Sequence, residues 1–218
     1  MSIKEKVRFI PPYAVVPFFG TIILHFVTYN GTKLLTDSRP HTDISCSVDA
    51  LVPLDPDWVL IYVTSFFFWI AGLVLISWAD KHSCYEQFGS VLAAELICMV
   101  TFLAFPTTMV RPELPQEGYA ASLLAQIYAA DAPTNIFPSM HCLMSWLCFR
   151  AALRSKRLGA PVKIISGIFA VLICLSTLFV KQHVFWDVLA GIAAAEAAIL
   201  LSHRLKLYMV FNNLEKIF

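Results

Sequence analysis

Residues 162–205 read VKIISGIFAVLICLSTLFVKQHVFWDVLAGIAAAEAAILLSHRL. Two long apolar runs, Val162–Val180 and His183–Leu205, meet at Lys181 and Gln182. Roughly 20 apolar residues let a helix cross the hydrocarbon core of a bilayer. The stretch is therefore read as a pair of membrane-crossing helices. At their junction, within STLFVKQHVFWDV (Ser176–Val188), stand Lys181, His183 and Asp187. Each is costly at membrane depth, and an ionisable residue held there is a functional hypothesis by default.

Working outward, four more segments fit the same template: Tyr13–Tyr29, Trp58–Trp78, Phe88–Phe105 and Phe137–Leu153. The expectation is an all-α, integral membrane bundle of six transmembrane helices, with extracytoplasmic loops capping a site. Composition agrees. The 218 residues are 58% hydrophobic and only 14% charged, where a soluble domain carries about a quarter charged residues. A net charge of +1 gives no footprint for nucleic acid. Residues 1–218 are read as one membrane domain, since no polar segment is long enough for a second. The basic start MSIKEKVRF leads into an apolar run without a small-residue cleavage site, so it is read as a first span rather than a signal peptide.

Cys46, Cys84, Cys98, Cys142, Cys148 and Cys174 form no C-x-x-C pair, and most lie in or beside apolar runs. Neither a disulfide framework nor a zinc site is expected.

Basic residues set the orientation. Lys4, Lys6, Arg8, Lys81, Arg150, Arg154, Lys156, Arg157, Lys163, Arg204, Lys206 and Lys216 fall on one side. Lys33, Arg39, Arg111 and Lys181 fall on the other. The positive-inside rule puts both termini in the cytoplasm, with the plasma membrane as the expected location. Two exterior connections are long. Asn30–Asp57 is rich in Pro and Asp, which argues for irregular structure. Met109–Ile136 contains ASLLAQIYAA, read as a short interfacial helix.

Three polar clusters share the exterior face: TTMVRPELP with Arg111, NIFPSMHC with Ser139 and His141, and the Ser176–Val188 stretch. Arg111 and Lys181 are cations suited to phosphate. Ser139, with the backbone N–H groups of Ser139, Met140 and His141, would open a helix and form an anion seat. His183 and Asp187 are four apart and meet on one helix face. A carboxylate on one ring nitrogen fixes the tautomer and frees the other to attack. His141 supplies an imidazole able to protonate a leaving oxygen. Such a set suits phosphoryl transfer, which depends mainly on positioning and charge stabilisation. Asn135 and Thr177 are read as shaping the pocket rim, with Asp131 as a weaker candidate beside Asn135. His25, Glu95 and Glu196 are read as interior structural residues.

These residues resemble the type 2 phosphatidic acid phosphatases, or lipid phosphate phosphatases, which share a fold with the vanadium haloperoxidases. The pattern of that family is K-x6-R-P, P-S-G-H and S-R-x5-H-x3-D. The chain offers Arg111-Pro112, then Pro138-Ser139-Met140-His141, then Ser176-Thr177 with His183 and Asp187. The resemblance covers a catalytic core of about 88–205. It implies a phosphohistidine at His183, oriented by Asp187, with His141 as general acid, Arg111 and Ser139 on the phosphoryl group, and no metal or other cofactor.

The chain departs from the pattern at Ala104, Met140 and Thr177, where the family has lysine, glycine and arginine. Lys181, one turn beyond Thr177 if the helix continues, is expected to replace one lost cation. The implied activity is hydrolysis of a lipid phosphate monoester, with membrane lipids as the surroundings and no nucleic-acid partner. Fewer cations also suit a singly charged diester, and P-S-x-H with K-Q-H resembles the inositol phosphorylceramide and sphingomyelin synthases, which transfer a headgroup to a lipid alcohol. A lipid transporter or scaffold on the same fold is the non-enzymatic alternative. The oligomeric state is open.

Overall fold

A computed structural model describes residues 9–115 and 117–215. Lys4, Lys6, Arg8 and Lys216, used above for orientation, lie outside them. In chain order the elements are α1 (Pro12–Phe26), a π-helical turn (Val27–Gly31), α2 (Thr32–Thr36), β1 (Thr42–Asp43), α3 (Ser47–Leu51), a 3-10 turn (Pro56–Trp58), α4 (Val59–Ala79), α5 (Lys81–Ala104), β2 (Thr107–Thr108), α6 (Tyr119–Ala130), α7 (Met140–Arg154), α8 (Ala160–Phe179), α9 (Phe185–Leu205) and α10 (Tyr208–Leu214). The protein is mostly helical. The one sheet among the described residues is a parallel pairing of β1 with β2, Thr42 opposite Thr107.

Local chemistry sets the helix ends. Pro12 begins α1, where a missing N–H is harmless. The Asp80 carboxylate caps α5 by accepting from Ser83 N at 2.8 Å. Ser139 caps α7 by accepting from Cys142 N at 3.3 Å. Asp187, in the first turn of α9, accepts from Val184 N at 2.9 Å. At the other end of α9, Lys206 takes a left-handed conformation with φ 52°, a common helix terminator.

Five helical segments are long and apolar enough to cross a membrane: Pro12–Thr36, Pro56–Ala79, Lys81–Ala104, Ala160–Phe179 and Phe185–Leu205. They fit an integral membrane protein. The segment expected to span over Phe137–Leu153 is α7, with 15 residues. At 1.5 Å per residue it is about 22 Å long, short of a core of about 30 Å. Its position explains the difference. Helix α7 packs against α4, α5, α8 and α9, so protein rather than lipid solvates it, and it tolerates Ser145, Arg150 and Arg154.

The core gathers on α7. Leu143 and Leu147 pack with Trp69 of α4, Phe102 of α5 and Ile199 of α9. Trp69 Nε1 donates to Ser145 Oγ at 2.9 Å, so the buried indole is satisfied. Between helices in lipid, van der Waals packing and interhelical hydrogen bonds drive association, and small residues allow close approach. Gly191 is such a residue. A Cβ there would lie 2.6 Å from the carbonyl oxygen of Ser139 and 3.1 Å from Cys142 Cβ. Away from the site, Glu196 pairs with Arg150 and accepts from Trp146 Nε1 at 2.7 Å, which is the structural role expected of it.

Candidate active site

The site is assembled at one end of the bundle, where α5, α7 and α8 meet the start of α9. Helix α8 stops at Phe179, and the carbonyl of Thr177 accepts from both Gln182 N at 3.0 Å and His183 N at 3.1 Å. This pair of hydrogen bonds turns the backbone sharply, with Lys181 at φ 51°. The turn delivers His183 into a cavity of about 270 Å³.

His183 is held from two sides. Its Nδ1–H is shared between Ile136 O at 3.0 Å and Asp187 Oδ2 at 3.2 Å. Asp187 is fully buried. Anchoring Nδ1–H fixes the tautomer, so the in-plane lone pair of the neutral ring sits on Nε2. Burial alone lowers the His183 imidazole, but the hydrogen bond and charge of Asp187, with Cys142 and Asp131 behind them, outweigh it and hold the group above its ordinary value.

His141, on the first turn of α7, lines the same cavity. Its ring centroid is 5.9 Å from that of His183. Tyr62 stacks on it at 4.4 Å, and Trp69 lies 5.2 Å away. Its Nε2 is buried without a hydrogen-bond partner. Met140 also lines the cavity. By the geometry of a helix start, the N–H groups of Met140 and His141 have no intrahelical acceptor.

Arg111 lines the cavity from the α5–α6 connection. Its guanidinium donates to Asp131 O at 2.6 Å and to Gln182 Oε1, and it lies 4.4 Å over the Tyr128 ring. Its Nε is buried and unpartnered. Burial lowers the guanidinium from its ordinary value, with Asp131 acting in the opposite direction. The Asp131 carboxylate takes Tyr29 OH at 2.7 Å and Lys33 Nζ at 2.7 Å. Asn135 reaches the wall with φ 55° and donates from Nδ2 to Thr32 Oγ1 at 2.9 Å. A β-bridge between Thr108 and Thr134 and the Thr107 hydroxyl on Phe137 N order this approach to α7.

Three expected site residues sit elsewhere. Lys181 does not line the cavity. Helix α8 ends before it, and its ammonium donates to the carbonyl oxygens of Asp49, at 2.9 Å, and Val52. Thr177 is buried, with its hydroxyl on Cys174 O at 2.8 Å, and it acts through its backbone carbonyl rather than on the rim. Ser139 is buried as the cap of α7, and its N–H is taken by Asp187 O at 3.1 Å, which removes one donor from the expected anion seat. Conversely, the cavity contains residues that sequence reading passed over. His25 lines it, with Nδ1 2.8 Å from Glu95 Oε1, and Tyr29 and Gln182 line it too. Gln182 belongs to the Ser176–Val188 stretch, where its uncharged amide carries less signal than the neighbouring Lys181 and His183. For His25, isolated in an apolar run, no local signal existed.

Among the described residues, no group of three or more His, Cys, Asp or Glu side chains is arranged to hold a metal ion. The arrangement can supply a nucleophilic imidazole, a second imidazole beside it and a single fixed guanidinium. Compared with known protein families, residues 57–201 match the family model described as the PAP2 superfamily. No curated protein and no solved structure matches the chain.

Proposed function

Given that the chain belongs to the PAP2 superfamily, we propose that it is a membrane enzyme that cleaves a lipid phosphoester through a phosphohistidine on His183. The observation that carries this reading is the shared cavity of His183 and His141, with Nδ1 of His183 anchored by Ile136 and Asp187. Nε2 of His183 attacks phosphorus in line, and His141 protonates the departing lipid oxygen. Arg111 and the first-turn N–H groups of Met140 and His141 hold the phosphoryl oxygens. Water then discharges the intermediate, so the reaction is hydrolysis of a lipid phosphate monoester.

The site lies at the end of the bundle opposite Arg150, Arg154, Lys156 and Arg157. By the positive-inside rule that end faces away from the cytoplasm, and both termini lie on the cytoplasmic side. The connections around α3 and α6 cap the site on its outer face. The test is phosphate release from a short-chain phosphatidate by purified protein in detergent. Wild-type release that His183→Ala eliminates supports the reading; undiminished release by His183→Ala refutes it.

One observation favours a second reading, a phosphodiester headgroup transferase. With Lys181 turned to Asp49 and Val52, Arg111 is the one Lys or Arg side chain lining the cavity among the described residues. One cation matches a singly charged diester better than a monoester with nearly two charges. Formation of a new phospholipid dependent on a lipid alcohol, with little free phosphate, selects this reading.

A further inference from the structure

Helix α1 lies outside the residues matched to the family, yet it places a third imidazole in the cavity. His25 lines the cavity, and its side chain is 28% exposed. Nδ1 is 2.8 Å from Oε1 of Glu95, a carboxylate from α5 that is 1% exposed. The second oxygen of Glu95, Oε2, is buried with no partner. The ring of His25 meets Trp69 edge-on at 5.9 Å, and Trp69 in turn contacts His141.

The construction repeats that of His183 with Asp187. A buried carboxylate takes Nδ1–H, and Nε2 is left for the cavity. A carboxylate buried this deeply is retained at a cost unless a charge arises beside it. A proton taken up on Nε2 turns the pair into an imidazolium and a carboxylate, which compensate one another. His141 has no such support. Among the described residues no carboxylate is hydrogen-bonded to it, its Nε2 is unpartnered, and aromatic rings cover it.

We propose that His25, backed by Glu95, is the proton acceptor of the second half-reaction. This inference rests on the phosphohistidine reading above. The acceptor, water or a lipid alcohol, attacks phosphorus through its oxygen. The bond from phosphorus to Nε2 of His183 breaks, and its electron pair returns to that nitrogen. The acceptor's O–H proton passes to Nε2 of His25, while Nδ1–H stays on Glu95. His141 has already given one proton to the leaving oxygen, so each turnover consumes one proton and releases one. The other ionisable groups on the cavity are Tyr29, Tyr62, Arg111, Asp131, His141 and His183. Of these, Asp131 is committed to Tyr29 and Lys33.

The experiment is a rapid-quench assay of full-length protein with a phosphorus-labelled short-chain lipid phosphate, quenched in base to preserve phosphohistidine. His25→Gln is expected to keep the burst of protein-bound label and to lose steady-state turnover by about 10²-fold or more, the scale of a lost acid–base group. Imidazole in the buffer is expected to restore part of the turnover of His25→Ala. Glu95 is a positioning residue, and Glu95→Gln is expected to keep the burst of protein-bound label and to lower kcat with KM unchanged, by less than His25→Gln does. Turnover within about threefold of wild type in both His25 variants overturns the proposal. So does equal loss of label and turnover in folded His25→Gln, because His25 then acts before the intermediate. Wild-type protein that neither labels nor turns over refutes the phosphohistidine reading itself.

Discussion

The rings of His141 and His183 lie 5.9 Å apart, centroid to centroid, on the wall of one cavity. They come from different helix ends, 42 positions apart in the sequence, 183 minus 141. Both rings therefore border the same space. Their different roles separate the consequences of removing either ring. His183→Gln is expected to abolish both turnover and protein-bound label. His141→Ala is expected to slow bond cleavage by about 10²–10⁴-fold, the range of a general acid, while a substrate with a good leaving group recovers most of the loss. Equal sensitivity of His141→Ala to good and poor leaving groups would remove His141 from the acid role.

The pH dependence follows from Asp187. His183 sits in the turn between α8 and α9 and is held above its ordinary value. Attack needs the neutral ring. Activity is therefore expected to fall as pH falls through an inflection above 6.5, the ordinary histidine value. Asp187→Asn removes the supporting charge, so the inflection is expected to move to lower pH while the plateau rate drops. The stability sign is the reverse of activity. A raised folded value means the contribution of His183 to stability is complete below about pH 6.5 and is lost as pH rises through the raised value. An unchanged inflection in Asp187→Asn would show that another group titrates.

Lys181 gives the sharpest contrast between sequence and structure. Its ammonium holds the carbonyl oxygens of Asp49 and Val52, and Asp49 Oδ1 accepts from Phe185 N at 2.7 Å. The side chain therefore ties the α3 segment to the turn carrying His183. Lys181→Met is expected to lower stability by about 1–2 kcal/mol, the scale of charge-assisted hydrogen bonds, with KM for a lipid phosphate within about twofold of wild type. A large rise in KM at unchanged thermal midpoint would return Lys181 to the phosphate.

The same residue shows how far the sequence reaches. The long apolar runs, the spacing of His183 and Asp187, and the positions of Arg111, Met140, His141 and Asn135 were legible, because period and motif survive in one dimension. The end of α8 was not. Nothing in FVKQHV marks Phe179 as the last helical residue, since the stop depends on Thr177 O accepting two N–H groups from beyond it. Helix α7 reads as a span like the others, yet it is 15 residues long and its neighbours cover it. The His25–Glu95 pair joins positions 70 apart, and each alone reads as an ordinary interior polar residue.

Gly191 links the packing of α9 to the first turn of α7. The nearest obstacle to a side chain there is backbone, the Ser139 carbonyl oxygen at 2.6 Å, followed by Cys142 Cβ at 3.1 Å. Backbone cannot rotate aside, so Gly191→Ala must push α7 and α9 apart. Overpacking of this kind costs about 1–3 kcal/mol. The displaced segment begins Ser139–Met140–His141, and a misplacement of about 1 Å at reacting groups can cost about 10²-fold in rate. Gly20, on α1, is the control, since nothing lies within 4 Å of a Cβ built there. Gly20→Ala is expected to be neutral or to stabilise by up to about 1 kcal/mol through helix propensity, with activity unchanged. Thermal unfolding in detergent, paired with turnover, checks both variants. If Gly191→Ala keeps wild-type stability and rate, α7 and α9 are not held at the close approach on which the position of His141 depends.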